Sequence, residues 1–202
     1  MRFAQLVVVA ALALPLLGFS CAEGINPLFT PESLVVDDTL IGEFTSVEAD
    51  KTASVSHLKI EKAKSGTLPA YVLTSWDSKT PKSKSRFRVV VTEIAGQRYW
   101  DVTAELTTDE AKRYAKDMSI PVHLYQKVEG TPEGFNLFML DNEWLEAEGK
   151  KNPAMVLKVS DTTIIGLDTA GLRSLHERGA VAKAFKLSGT YVKKGAKAKD
   201  PK

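Results

Sequence analysis

Hydrophobic and polar residues alternate along much of the chain between residues 38 and 192, which is typical of strands with one buried side. Phe87, Val89 and Val91, for example, share one side of a segment whose other side is largely polar. Short polar or glycine-containing stretches separate these segments. The pattern predicts about ten strands, over residues 39–47, 54–62, 70–76, 86–94, 99–106, 122–128, 135–140, 154–159, 162–167 and 185–192.

Three short helices are predicted between the strands. Thr107 and Glu110 have the spacing of a capping box, which predicts a helix over residues 107–118. The other two helices are predicted over residues 141–148 and 168–178, each beginning with an aspartate that can accept hydrogen bonds from the first turn.

Consecutive strands with short connections pair antiparallel, so the pattern predicts a mainly β, β-dominated α+β fold built as an up-and-down meander. Closing this meander into a barrel removes its exposed sheet edges. We therefore expect a barrel, with a strongly curved open sheet as the alternative, and about three short helices inserted in either case.

The first 20 residues have a pattern of their own. Arg2 precedes an apolar run from Leu6 to Leu17, which is shorter than the ~20 residues that cross a bilayer as a helix. A cation, a short apolar run and small residues before a cleavage site are typical of a secretory signal peptide. We therefore expect export. The predicted parts are a signal peptide of the lipoprotein type over 1–20, a tether over 21–37, a single β-rich domain over 38–192 and a basic disordered tail over 193–202.

Cys21 is the only cysteine in the chain, so it has no partner for an intramolecular disulfide. The stretch from Leu16 to Cys21 resembles the lipobox of bacterial lipoproteins, whose cysteine becomes the first mature residue and carries diacylglycerol. The resemblance implies a membrane anchor on Cys21. Because Ala22 rather than aspartate follows it, the resemblance also implies the outer membrane. Cleavage after Ala22, with Ser20 and Ala22 at the two recognised positions, instead predicts a soluble periplasmic or secreted protein.

The composition is that of an ordinary globular protein. Hydrophobic residues make up 44% of the chain, charged residues make up 26%, and the formal net charge is +2. A dedicated nucleic-acid binder carries a concentrated basic face, so we expect no nucleic-acid partner. Removing the leader leaves about 180 residues, which is enough for one domain with its own apolar core.

Motifs of catalysis or metal binding are not evident in the sequence. His57, His123 and His176 fall on different predicted elements, and none has a second ligand at metal spacing. The chain contains no Gly-x-Ser-x-Gly motif and no phosphate-binding glycine loop. We therefore expect no metal, no cofactor and no enzymatic activity.

Aromatic residues on the predicted strands are the remaining candidates for binding. They are Phe44, Tyr71, Trp76, Phe87, Trp100, Phe135 and Phe138. In a barrel such residues can line an apolar cavity for a small molecule or a lipid, or they can fill the core. The first arrangement predicts a non-catalytic ligand-binding protein of the cell envelope. The second predicts an interaction module that assembles with an envelope protein partner.

Several short motifs resemble those of a group of uncharacterised bacterial lipoproteins. They are Asn26-Pro27-Leu28, the stretches from Asp37 to Phe44 and from Ile94 to Asp101, Pro121-Val122-His123, and the stretches from Leu140 to Leu145 and from Leu167 to Leu172. Gly42-Glu43-Phe44 is similar to the Gly-x-Trp motif of lipocalins, with Phe in place of Trp. The resemblance implies a lipocalin-like, calycin-type β domain, and no function follows from it.

Overall fold

The computed structural model describes residues 23–47, 54–64, 66–105, 122–159 and 162–195. Two helices lie in these ranges, α1 over Asn142–Lys151 and α2 over Thr169–Val181. The strands are β1 Glu23–Gly24, β2 Gly42–Ser46, β3 Ser56–Lys62, β4 Tyr71–Asp77, β5 Lys84–Ile94, β6 Gln97–Ala104, β7 His123–Gly130, β8 Gly134–Leu140, β9 Val156–Val159, β10 Thr162–Ile165 and β11 Phe185–Lys193. The predicted helix over 107–118 lies outside the described residues.

Eight of the strands close into an antiparallel barrel. β2 to β6 pair consecutively, β11 lies between β2 and β8, and β8 pairs with β7. The pairing of β6 with β7 completes the ring. The mainly β prediction is confirmed, and the barrel rather than the open sheet is the form it takes. This architecture is consistent with a lipocalin-like fold.

A second apolar core lies outside the barrel, where the two helices cover the outer face of β5, β6 and β7. Its buried members are Leu28, Ile94, Tyr99, Tyr125, Leu140, Leu145, Met155, Ile165, Leu172, Leu175 and Ala184. Because this layer covers the wall, outward-facing Thr92, Tyr99 and Asp101 are each at most 2% exposed. The one-sided alternation expected of a half-buried sheet therefore holds on β3 but not on this wall.

Both helices begin where capping aspartates predict them. The carboxylate of Asp141 accepts a hydrogen bond from the Trp144 N–H over 3.1 Å, and that of Asp168 accepts one from the Gly171 N–H over 2.8 Å. The helices end at residues 151 and 181, beyond the predicted ends at 148 and 178. In the part of the chain that the structure describes, no helix is long and apolar enough to span a bilayer.

The N-terminal segment is docked on the domain from Glu23 onward. β1 pairs antiparallel with β7 and parallel with β10. The Leu28 N–H donates to the buried carboxylate of Asp101 over 2.7 Å, and the Tyr125 hydroxyl donates to the Asn26 carbonyl over 2.5 Å. The described part of the predicted tether is therefore packed and hydrogen-bonded on the barrel domain.

Candidate functional site

The middle of the barrel is filled with side chains. Five of the seven aromatic candidates lie in this core and are at most 9% exposed: Phe44, Tyr71, Phe87, Trp100 and Phe135. The ring of Phe135 packs against those of Phe44 and Trp100, with centroid distances of 4.9 and 5.0 Å. These five residues form a packed interior, and Phe44 and Phe135 also line a pocket at one end of it.

Trp76 and Phe138 lie on the outer surface of the barrel. Trp76 stacks on His57, its cross-strand neighbour, with ring centroids 5.3 Å apart. Phe138 faces Lys127, whose Nζ lies 5.5 Å from the ring centroid. The structure separates these two side chains from the other five aromatic candidates and from the pocket.

The pocket has a volume of about 550 Å³ and lies at the end of the barrel where β2 and β8 begin and β7 and β11 end. Its apolar floor consists of Leu40, Phe44, Val128 and Phe135. The rest of the lining is Asp37, Thr39, Arg98, Gly130, Thr131, Pro132, Glu133, Gly134, Lys193 and Lys194. An apolar floor with a charged rim suits a small molecule that has an apolar body and polar groups.

One side of the pocket is a 3-10 turn over Asp38–Leu40 that Asp37 holds in place. The Asp37 N–H donates to the Tyr71 hydroxyl over 2.6 Å, and the Asp37 carboxylate pairs with Arg98. Burial raises the pKa of the Tyr71 hydroxyl, so this acceptor stays neutral at ordinary pH. As a result, Leu40 packs against the apolar core of the barrel.

Lys193 crosses another wall of the pocket. It follows Tyr191 at strand spacing on β11 and pairs with Phe44 in the sheet, and its Nζ lies 5.8 Å from the Phe44 ring centroid. Gly42 leaves room for this side chain, because a Cβ there would lie 2.8 Å from Lys193 Cε. The φ of +146° at Gly42 also favours glycine. Gly42 thereby lets a cation lie over an aromatic floor.

Two cations of the rim are paired with carboxylates. Arg98 pairs with Asp37, and Lys194 Nζ lies 3.0 Å from Glu43 Oε2. The hydrogen bond and the charge of Lys194 lower the pKa of Glu43, which keeps this carboxylate ionised. Each pair joins two neighbouring elements of the barrel end and is close to neutral as a unit.

Lys193 and Glu133 are the two charged residues of the lining that have no ion-pair partner among the described residues. Glu133 is half-buried in the tight turn between β7 and β8, where its carbonyl accepts a hydrogen bond from the Lys193 N–H over 2.8 Å. Within the described structure, the pocket therefore offers one unpaired cation and one unpaired carboxylate beside its apolar floor.

Two glycines shape the pocket next to this turn. Gly130 follows Val128 at strand spacing on β7, and a Cβ at Gly130 would meet no atom within 4 Å. At Gly134 a Cβ would clash with the carbonyl oxygen of Tyr191 on β11. Gly130 therefore keeps the pocket open, whereas Gly134 allows β8 and β11 to approach each other closely.

The histidines lie away from the pocket. His123 Nδ1 is 2.5 Å from Asp101 Oδ1, beside the docked N-terminal segment. His176 is completely buried between two tyrosine rings, and its Nδ1 donates to the Leu172 carbonyl over 2.8 Å. Burial lowers the pKa of His176 to about 4. In the described ranges, no three His, Cys, Asp or Glu side chains are grouped to hold a metal ion.

The predicted elements do not reveal the polar residues of the pocket, because Lys193 falls in the predicted tail and residues 129–134 fall between two predicted strands. The alternation along each strand could have indicated two of the lining residues, because residues two positions apart lie on the same face of a strand. Lys193 lies two positions after Tyr191, and Gly130 lies two positions after Val128. Cys21 lies outside the described residues, so its lipid anchor stays a prediction.

Comparisons with known proteins provide no relative from which a function can be transferred. No protein-family model matches the chain, and no match is found among curated proteins or solved structures. Function has to be inferred from the pocket itself.

Proposed function

We propose that this chain is an exported lipoprotein of the cell envelope whose barrel binds a small molecule with an apolar body. The observation that supports ligand binding is the pocket between the N-terminal turn and the β7–β8 turn. Its volume of about 550 Å³ falls in the range of ~300–1,000 Å³ typical of small-molecule sites. Such sites combine apolar walls with polar groups that orient the ligand, and here the floor is apolar while the rim carries five charged side chains.

The packed interior restricts the size of the ligand. Trp100 lies behind Phe135, and both are 1% exposed. A long acyl chain that entered the barrel would displace such side chains, and losing the packing of one large aromatic costs about 3–5 kcal/mol. A compact molecule that occupies only the end pocket therefore fits better than a long-chain lipid.

The membrane anchor is proposed from the leader pattern and from Cys21. The described chain is paired with β7 from Glu23, two positions after Cys21 in the sequence. A lipid on Cys21 would hold the barrel at the membrane surface without a long spacer. The outer membrane is the proposed location, by the resemblance of the leader to the lipobox.

Retention of a small molecule by the pocket tests the ligand-binding proposal. The full-length chain in lipid nanodiscs is dialysed against a metabolite extract of the cells that produce it. Retained compounds are identified by mass spectrometry, with empty nanodiscs as the blank. Gly130→Trp fills the pocket without a clash at Cβ, and Glu129→Trp places the same ring on the outer side of β7.

We expect the unchanged chain and the Glu129→Trp variant to retain a compound that the Gly130→Trp variant loses. Melting curves of the three proteins establish that each is folded. A compound that both variants retain equally, or the absence of any retained compound, would contradict binding in this pocket.

Substitution of Cys21 tests the anchor separately. We expect the Cys21→Ser variant to leave the membrane fraction, because a cysteine thioether is the attachment point of the lipid. Unchanged membrane association of this variant would show that Cys21 carries no anchor.

An interaction module that assembles with an envelope partner is the second candidate. The packed barrel interior favours it, because a filled barrel can serve as a rigid scaffold. Val181 and Leu187 are exposed apolar residues, at 87% and 56%. Cross-linking in intact membranes tests this candidate: recovery of a stoichiometric protein partner would support it, and recovery of the chain alone would count against it.

A further inference from the structure

The unpaired charges of the pocket indicate the chemical class of its ligand. We infer that the pocket takes a small zwitterion with an apolar side, such as an apolar amino acid or a short apolar peptide. Its carboxylate contacts Lys193 and its ammonium contacts Glu133. This inference rests on the proposed function, because it assigns a ligand class to the same pocket.

The other charged residues of the rim are already in ion pairs, so Lys193 and Glu133 are the charged residues available to contact a ligand. Arg98 and Asp37 connect β6 to the N-terminal turn, while Lys194 and Glu43 connect β11 to β2. A ligand charge that displaced Arg98 from Asp37 would leave the Asp37 carboxylate, which is 9% exposed, without its partner, and this costs free energy. The Lys194–Glu43 pair is exposed to solvent and is held more weakly. Lys193 and Glu133 differ from both pairs, because they can bind a ligand charge without breaking an ion pair.

Lys193 is positioned before a ligand arrives. Its aliphatic stem lies against Gly42, and its Nζ lies 5.8 Å from the Phe44 ring centroid. Packing of the stem restricts its rotamers, so less conformational entropy is lost when a carboxylate binds. The ammonium lies directly above the apolar floor, where an acid group attached to an apolar body would be placed.

Glu133 is positioned by the hairpin turn. Thr131 and Gly134 exchange backbone hydrogen bonds of 2.9 and 3.3 Å across this turn, and the Glu133 carbonyl is tied to the Lys193 N–H. Glu133 in this turn and Lys193 on β11 both line the pocket but form no ion pair with each other. A half-buried carboxylate gains from a cationic partner, and a ligand ammonium in the pocket supplies one.

The floor selects an apolar side on the ligand. Leu40, Val128 and Phe135 line the same pocket as the two unpaired charges, and each is at most 6% exposed. Burying an apolar side chain against them removes its surface from water, whereas a polar side chain would lose hydrogen bonds to water without replacement. Leucine and phenylalanine meet all three requirements.

Isothermal titration of the full-length chain in lipid nanodiscs tests the inference. The probes are L-leucine, L-phenylalanine and three analogues of phenylalanine. Hydrocinnamic acid lacks the amine, phenethylamine lacks the acid, and hydrocinnamide carries neither charge. The variants are Lys193→Met and Glu133→Gln. Matched controls are Lys59→Met on the outer side of β3 and Glu143→Gln on the exposed side of α1.

We expect an amino acid to bind, and each pocket substitution to weaken that binding about tenfold or more, since hydrogen bonds to charged groups are among the strong ones. The affinity for hydrocinnamic acid should be weakened only by Lys193→Met, and the affinity for phenethylamine only by Glu133→Gln. The two control substitutions should leave every affinity unchanged.

Hydrocinnamide binding as tightly as phenylalanine would overturn the zwitterion while leaving a ligand pocket in place. The zwitterion inference would also be overturned if the dialysis experiment retained a metabolite but neither leucine nor phenylalanine bound. If dialysis retains nothing and no probe binds, the proposed function fails and the inference fails with it.

Discussion

The backbone N–H of Asp37 donates a hydrogen bond of 2.6 Å to the hydroxyl of Tyr71, and this contact ties the turn that borders the pocket to the barrel wall. The two residues are 34 positions apart in the chain. The Val35 N–H donates to the Val91 carbonyl on β5 over 2.9 Å, and this docks the segment beside Tyr71 on the neighbouring strand β4. The hydrogen bond between Asp37 and Tyr71 is a direct link between folding of the barrel and formation of the pocket.

Tyr71→Phe should destabilise the protein by about 1–2 kcal/mol, because it leaves a buried N–H without an acceptor. Tyr99→Phe is the matched control, since the Tyr99 hydroxyl is buried with no hydrogen-bond partner among the described residues. Removing that hydroxyl should be neutral or stabilising. Urea unfolding of both variants measures the difference, and equal losses of stability would contradict the account of the turn.

Gly134→Ala should cost about 2 kcal/mol or more, because its Cβ would clash with the Tyr191 carbonyl and force β8 away from β11. Gly130→Ala adds the same methyl group where no atom lies within 4 Å, so its effect on the free energy of unfolding should stay within about 0.5 kcal/mol. Thermal unfolding compares the two variants. A costly Gly130→Ala or a tolerated Gly134→Ala would be evidence against the described strand approach.

Acid should destabilise the protein through His176. Burial lowers its folded pKa to about 4, whereas the unfolded chain has the ordinary pKa of 6.5. Between these values the unfolded state binds a proton that the folded state does not, so the free energy of unfolding falls as the pH falls. The contribution is fully present above pH 6.5 and is lost towards pH 4, and 2.5 pKa units correspond to about 3 kcal/mol.

His176→Phe removes this titration and keeps a ring between the neighbouring tyrosines. Urea unfolding of both proteins at several pH values from about 7 to about 4 should show a shallower decline for the variant. Parallel pH profiles would contradict a neutral buried histidine.

Asp101→Ala should undock the N-terminal segment. The Asp101 carboxylate accepts from the Leu28 N–H and contacts the partly exposed His123, so its removal leaves the buried Leu28 N–H without a partner, at a cost of about 1–3 kcal/mol. Hydrogen exchange should show faster exchange at the Leu28 amide. Thr103→Ala, the next outward position on β6, serves as the control and should leave that amide protected.

Much of the fold can be predicted from the alternation of hydrophobic and polar residues in the sequence. This alternation predicts the barrel strands, and it also indicates on which face of a strand each aromatic candidate lies. Tyr71 and Trp76 are an odd number of residues apart, as are Phe135 and Phe138, so each pair occupies opposite faces of its strand. A list of aromatic residues on strands mixes the two faces, whereas counting along each strand separates them.

The pocket and the docking of β1 depend on contacts that no local pattern encodes. Arg98 pairs with Asp37 across 61 positions, and Lys194 pairs with Glu43 across 151. Glu23–Gly24 is too short to carry a strand pattern, and it becomes a strand because β7 and β10 leave a space between them. The role of Lys193 likewise follows from its partner strand and from the glycine that leaves it room.

Ligand binding at the barrel end is tested most directly by an amide NMR spectrum of the full-length chain, recorded with and without the compound that dialysis retains. We predict chemical-shift changes clustered at Gly42–Phe44, Gly130–Gly134 and Lys193–Lys194, with little change at Trp76 on the outer surface. Changes clustered on the outer surface, or no change at the pocket residues while the compound is bound, would contradict the account.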